Sequence, residues 1–316
     1  MNEEKAVALR DVYGKTLVEL GRENLNIVVL DADLSCSTKT AGFAKAFPER
    51  FINMGISEQD MISTAAGLAT CGKVVFASTF AVFGSGRAWD QVRMSLAYTR
   101  LNVKIVVTHA GITTGEDGAS HQANEDIAIM RVLPNMTVVV PSDGIETEKA
   151  IRAAADFYGP MYIRLGRAKT PTINTGEGYD FKIGKGVVVR EGKDIAIFAC
   201  GIMVKMALDA ADALAQEGIK AKVINIHTIK PLDKQLIIDS AKECGGVVTA
   251  EEHSILGGLG GAVAETLVEN CLVPMARVGV KDVFGESGLP DELLVKYGLT
   301  SNEIVKAAKA VIARKK

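Results

Sequence analysis

The sequence predicts an α/β protein of two domains, each a mainly parallel sheet flanked by helices. Three observations carry this. Short, wholly apolar runs alternate with helix-period segments along most of the chain, as doubly buried strands and their crossover helices should read. Polar or glycine-rich loops repeatedly follow those runs, where the carboxyl ends of parallel strands open into a ligand-binding crevice. Between residues 170 and 185 the pattern breaks into Pro, Gly, Asn and Thr and then resumes. This places domains at 1–172 and 186–316, with a linker at 173–185.

Helical periodicity runs from about residue 4 to residue 20 and stops at Gly21. Asn26-Ile-Val-Val-Leu30 reads as a buried strand ending in the polar stretch Asp31-Ala-Asp33-Leu-Ser-Cys-Ser37. A helix of small and apolar residues follows Gly55 and ends near Thr70. Ser57 is placed to cap it, and Glu58 falls in its positive first turn. An acid there is ordinary helix chemistry and by itself assigns Glu58 no function. The strand Val74-Val-Phe-Ala77, a helix over 84–98 and the strand Val103-Lys-Ile-Val-Val107 continue the alternation. After a Gly-rich loop at 111–122, Thr137-Val-Val-Val140 is a strand, Ser142 caps a helix to about 157, and Met161-Tyr-Ile-Arg-Leu165 is another strand. In the second domain, strands at 187–190, 195–198, 221–225 and 247–249 are joined by helices at 203–216, near 234–242 and at 260–268. Thr300-Ser-Asn-Glu303 has the spacing of a capping box and starts the last helix.

A chain of 316 residues can bury two substantial cores. A net charge of -2 gives no reason to expect nucleic acid or an anionic membrane as partner. No apolar run approaches the length of a membrane span, and Met1-Asn-Glu-Glu-Lys opens a polar helix rather than a signal peptide. The five cysteines are scattered without a C-x-x-C, and the four histidines form no zinc-like cluster; a reduced, cytoplasmic compartment fits. Gly258-Leu-Gly260-Gly lacks the third glycine and acidic partner of a dinucleotide fingerprint, and reads as a turn into a tightly packed helix.

Chemistry concentrates elsewhere. The loop from Thr108 to Gln122 holds two histidines (His109 and His121), two acids (Glu116 and Asp117) and three glycines. Such a loop can bring backbone amides, a carboxylate and imidazoles to one ligand, although for either histidine alone a locally bonded polar turn is the commoner reading. Phe80 and Phe83, three apart beyond a strand, could form a slot for a flat heteroaromatic ring; core packing is the commoner fate of such a pair. Arg10, Arg164 and Arg167 carry forked donors suited to phosphate or carboxylate, and lone arginines are usually surface ion pairs.

Together these residues resemble the transketolases. Asn53-Met-Gly-Ile-Ser-Glu58-Gln, Ser78-Thr-Phe80-Ala-Val-Phe83 and Gly115-Glu-Asp117-Gly-Ala-Ser-His121-Gln occur in the family's order, as do Arg10, Asp33-Leu-Ser-Cys-Ser37 and Pro141-Ser-Asp143. The likeness spans the whole chain but only the family's pyrimidine-binding and C-terminal domains. The Gly-Asp-Gly of the diphosphate-binding domain is absent from the sequence. The resemblance therefore implies the C-terminal half of a split, thiamine diphosphate-dependent transketolase. Its partner would be an N-terminal subunit that holds the diphosphate and Mg2+, with two copies of each chain assembled.

Residue by residue, the resemblance makes Glu58 the carboxyl group that bonds the cofactor's pyrimidine and favours the tautomer able to deprotonate the thiazolium carbon. Phe80 and Phe83 match aromatics flanking that pyrimidine. The third ring of the pocket is Gly86 here, which implies a slot closed differently. Asp33 matches an acid near the cofactor. Arg10, Ser37, His109 and Arg167 match contacts to the sugar phosphate, Asp117 bonds a sugar hydroxyl, and His121 touches the reacting carbons; Arg164 has no counterpart and is left structural. The implied reaction transfers a two-carbon ketol unit from a ketose phosphate to an aldose phosphate in the pentose phosphate pathway. Rival readings are a split 1-deoxyxylulose-5-phosphate synthase, the beta subunit of a 2-oxo acid dehydrogenase, against which the 115–121 loop argues, and a non-catalytic scaffold.

Overall fold

The computed structural model describes residues 6–174 and 178–315. The predicted helix start near residue 4 and the middle of the predicted linker, residues 175–177, lie outside the described residues. In chain order the strands are β1 (Val7–Ala8), β2 (Ile27–Asp31), β3 (Phe51–Asn53), β4 (Val74–Phe80), β5 (Val103–Thr108), β6 (Thr137–Val139) and β7 (Met161–Arg164). They continue as β8 (Lys169–Thr170), β9 (Val187–Arg190), β10 (Ile195–Ala199), β11 (Ala221–Asn225), β12 (Thr228–Lys230), β13 (Val247–Ser254) and β14 (Met275–Val280).

Seven strands form the first sheet in the order β12-β6-β7-β5-β4-β2-β3, and five form the second in the order β14-β13-β10-β11-β9. Every pairing in both is parallel except the edge strands β12, on β6, and β9, on β11. The α/β class and the mainly parallel sheets are as predicted. β2, β5 and β10 are buried along their whole length, which explains their mainly apolar reading; the one lysine, Lys104 in β5, is buried with its Nζ on the carbonyls of Phe157 and Gly159.

One strand crosses between the halves. β12 follows the second sheet's β11 in the chain yet adds to the first sheet, pairing Thr228 with Val139, and the His227 carbonyl accepts from the Val140 amide at 2.7 Å. A single apolar cluster accordingly contains Leu30, Met61 and Val138 from the first half with Ala196, Phe198 and Ile224 from the second. The short run 228–230 carries no periodicity, so no local pattern could announce it.

Several local expectations change. The first helix spans Leu9–Glu23; just before it, β1 pairs antiparallel with β8. Ser57 precedes the helix Glu58–Thr70, but its hydroxyl donates to the Met54 carbonyl at 3.3 Å and caps no helical amide. The cap of the helix Gly144–Asp156 is Asp143, which accepts from the Glu146 amide at 2.8 Å. Ser142, the expected cap, instead donates its amide and hydroxyl to Glu146 at 2.6 and 2.8 Å. The regular helix predicted at 84–98 is two π-helical stretches, Phe83–Arg87 and Val92–Ala97, around Trp89–Gln91. At Gly84 an added Cβ would lie 2.8 Å from Val107, so this wide turn presses directly on β5. The helix Leu259–Asn270 starts as a tight turn should: Glu251 accepts from the Leu259 and Gly260 amides at 2.6 and 2.7 Å.

Candidate active site

The carboxyl ends of β2, β4 and β5 lie side by side, with Asp31 opposite Ser78 and Phe80 opposite Thr108, so the loops after them open on one edge. Asp31, fully buried, organises the first loop. Its carboxylate accepts from the Leu34 amide at 2.6 Å and from the Thr38 and Thr40 hydroxyls at 2.7 and 2.8 Å, while burial pushes its carboxyl up from the ordinary value. This turns the chain through Asp33 and Ser37. Asp33 is exposed at a left-handed φ of 62°, and its carboxylate accepts from Asn53 Nδ2 at 3.2 Å. The Ser37 carbonyl accepts from Arg10 Nη1 at 3.3 Å.

His109 leaves β5 at a second left-handed φ, 58°, a conformation such side chains adopt rarely and mostly where a site demands it. Its Nε2 lies 3.2 Å from Arg10 Nη1 and its Nδ1 2.8 Å from the Thr108 hydroxyl. Arginine can only donate, so Nε2 accepts and the proton sits on Nδ1. Burial, reinforced by the charges of Arg10, Arg167 and His121, pushes the imidazole down to about 3 and keeps it neutral at ordinary pH. Its ring stacks on Phe80, centroids 3.8 Å apart.

Phe80 and Phe83 lie nearly parallel, with centroids 6.1 Å apart and an interplanar angle of 11°. His121 presents its edge to both, at 6.2 and 5.3 Å. Glu58 is 1% exposed at the start of its helix. Both its oxygens accept from Arg87 Nη1, at 3.0 and 2.9 Å, and the Arg87 guanidinium lies 4.3 Å above the Phe83 ring. Direct contacts therefore run from Glu58 through Arg87, Phe83, Phe80 and His109 to Arg10. Arg87, the residue after Gly86, thus covers both Glu58 and the Phe83 ring. The sequence reading missed it, although Arg87 stands four residues after Phe83, a spacing that places two residues on one helical face.

The 111–122 loop is held from the second half. Glu252 Oε1 accepts from the Thr113 amide at 2.7 Å, and Gly111, at φ 79°, has room for no Cβ because Glu252 would lie 2.4 Å away. Gln122 Nε2 donates to the Ile112 and Glu286 carbonyls at 3.2 and 2.9 Å. Arg164 is structural, as expected: buried, it bonds Asp126 at 2.8 Å and the carbonyls of Ala123 and Glu252 at 3.1 and 2.9 Å. Arg167 Nη1 donates to the Thr114 carbonyl at 2.8 Å, and His121 Nδ1 meets the Ser120 hydroxyl at 2.9 Å. Asp117 is exposed and makes no hydrogen bond or ion pair among the described residues. It and Asp33 stand at the rim, outside the run of contacts.

Two family models match this chain: the transketolase pyrimidine-binding domain over residues 5–172 and the transketolase C-terminal domain over 184–304. A protein of Methanocaldococcus jannaschii, provisionally named a transketolase C-terminal section, is 54% identical over 94% of each chain. A 6-deoxy-6-sulfo-D-fructose transketolase subunit of Clostridium sp. strain MSTE9 is 47% identical over 97% of this chain and 95% of its own. Among solved structures, a split-gene transketolase described as an inactive beta4 tetramer matches with a TM-score of 0.92 and 55% identity, covering 98% of this chain and 100% of its own. On these matches the chain belongs to the transketolase family, and spans its pyrimidine-binding and C-terminal domains.

Proposed function

We propose that this chain is the C-terminal subunit of a split, thiamine diphosphate-dependent transketolase that carries a two-carbon ketol unit from a ketose phosphate to an aldose phosphate. The observation that carries the reading is the run of contacts from a buried carboxylate, through an arginine and across two near-parallel aromatic rings, to an arginine–histidine pair (Glu58, Arg87, Phe83, Phe80, His109, Arg10). These residues fit the pyrimidine half of the cofactor: a flat apolar wall, a carboxylate at its foot, and open space beside Gly86, whose added Cβ would meet nothing within 4 Å. When bound, thiamine diphosphate supplies the nucleophilic carbon for attack on a ketose carbonyl.

This chain's own residues then divide the remaining work. Glu58 shares a proton with the pyrimidine, and Phe80 and Phe83 fix the ring's plane. Arg10, Arg167 and the Ser37 loop hold the substrate's terminal anion, with neutral His109 donating no charge of its own. Asp117, unpartnered at the rim, is available to a sugar hydroxyl, and His121 faces the reacting carbons. In this reading residues 1–172 are the pyrimidine-binding domain, 173–185 the linker and 186–316 the C-terminal domain. An N-terminal partner subunit holds Mg2+ and the diphosphate, two copies of each chain assemble in the cytoplasm, and the pathway is the pentose phosphate one. No described helix is long and apolar enough to cross a membrane.

The 47% relative's printed substrate is a sulfonated sugar, and a guanidinium pair suits a sulfonate as well as a phosphate. The test is a tagged pull-down from native lysate, followed by assays of whatever complex is recovered. The expected partner carries Gly-Asp-Gly…Asn, and the complex transfers ketol units from xylulose phosphate to ribose phosphate. Preference for 6-deoxy-6-sulfofructose as donor would move the substrate to the sulfonate class. Activity with pyruvate and glyceraldehyde phosphate would move it to the synthase. Full ketol transfer by a Glu58→Ala complex would overturn the mechanism.

A further inference from the structure

The reading of Glu58 as the cofactor's carboxylate leaves its occupant to be explained. Both carboxylate oxygens are taken by one nitrogen of Arg87, and among the described residues no other group bonds that side chain. Glu58 is 1% exposed, whereas the Arg87 side chain is 47% exposed. Among the described residues the guanidinium is thus the only bonded group between the carboxylate and solvent, and it lies over Phe83 with its carbon 4.3 Å from the ring centroid. Its position follows from the local backbone: the π-helical turn Phe83–Arg87 brings it round onto the ring, and Gly86 offers no side chain to block it.

We propose that Arg87 is a displaceable plug on Glu58. It covers Glu58 beside the ring slot and must surrender the carboxylate before a pyrimidine nitrogen can reach it. The half-exposed guanidinium can rehydrate on release, but the buried carboxylate cannot, so the pair opens as an incoming donor takes its place. The plug thereby keeps a buried carboxylate paired, which an apolar residue at position 87 could not do. It also makes cofactor binding an exchange of partners, and Arg87 a determinant of cofactor affinity rather than a catalytic residue.

The inference rests on the proposed function, so the test has two arms. In the first, the full chain alone is treated with a water-soluble carbodiimide and a glycine ester, and labelling at Glu58 is read by peptide mass spectrometry. Arg87→Met should raise labelling at Glu58 severalfold over wild type while leaving Glu251 and Glu252 unchanged. Arg87→Lys, which keeps a cation without the fork, should fall between. Unchanged labelling in Arg87→Met, with an unaltered melting curve, overturns the plug. In the second arm, thiamine diphosphate is titrated calorimetrically into the complex with its partner. Arg87→Met should bind severalfold more tightly, because no guanidinium has to be displaced first. Weaker binding would make Arg87 a cofactor contact and overturn the exchange. If the wild-type complex binds no thiamine diphosphate while the labelling arm behaves as expected, the plug stands and the functional reading fails.

Discussion

Replacing Arg164 by methionine removes a buried cation and three hydrogen bonds while keeping most of the side chain's apolar stem. In the native fold Arg164 is 4% exposed and Asp126 fully buried, with 2.8 Å between Nε and Oδ2. Without the guanidinium, Asp126 keeps one donor, the Tyr162 hydroxyl at 2.7 Å, and the Ala123 carbonyl keeps the Gly111 amide at 3.0 Å, while the Glu252 carbonyl loses its Arg164 donor. Stripping one partner from a buried ion pair costs about 3–5 kcal/mol, and each orphaned buried acceptor adds about 1–3 kcal/mol. Against a total stability of about 5–15 kcal/mol this is a large share. The loss falls at the seam, because Arg164 belongs to β7 of the first sheet and Glu252 to β13 of the second. Urea unfolding followed through Trp89, the single tryptophan, reads it as a shift of midpoint. The double variant Arg164→Met/Asp126→Asn should recover part of the loss, since the amide can still accept from Tyr162 and leaves no unpaired charge. A single variant within about 1 kcal/mol of wild type would place the pair in the energetic range of surface ion pairs and refute the argument. A double variant no better than the single would show that the orphaned charge was not the cause.

Two further predictions concern the site. The folded chain holds the His109 imidazole down near pH 3, whereas an unfolded histidine takes its proton near 6.5. Between those values the unfolded state binds more protons, so stability falls as pH drops from about 6.5 towards 3. His109→Asn should flatten that slope in melting curves taken from pH 7 to pH 4, and identical slopes would contradict the burial argument. Asp117→Ala should leave stability within about 0.5 kcal/mol, as expected for an exposed side chain without partners. It should lower kcat/KM for ketol transfer about ten- to hundredfold, the size of one lost hydrogen bond to a charged group. An unchanged kcat/KM would remove Asp117 from the site.

The alternation of β2, β4, β5 and β10 with helices was legible because burial on both faces leaves a run of apolar residues that no neighbouring element needs to explain. The stretches before Glu58 and after Phe80, and the loop that holds His109 and Asp117, were legible for a related reason, being polar or glycine-rich breaks at element ends. Local chemistry was less secure at the caps. Ser57 and Ser142 each sit at the right place to cap, yet each hydroxyl found another acceptor nearby. Two glycines and a tight fit against Val107 turned a helical period at 84–98 into π-helical turns.

By itself the sequence determined the two parallel-sheet domains, the order of their elements and the motifs of the transketolase family, because these are written in neighbouring residues. Only the tertiary structure decided that β12 joins the first sheet, that Glu252 clamps the 111–122 loop from 139 positions away and that Arg87 covers Glu58 from 29 positions away. The physical reason is the same in each case. A hydrogen bond or ion pair between distant residues depends on where packing brings them, and periodicity along the chain carries no record of that.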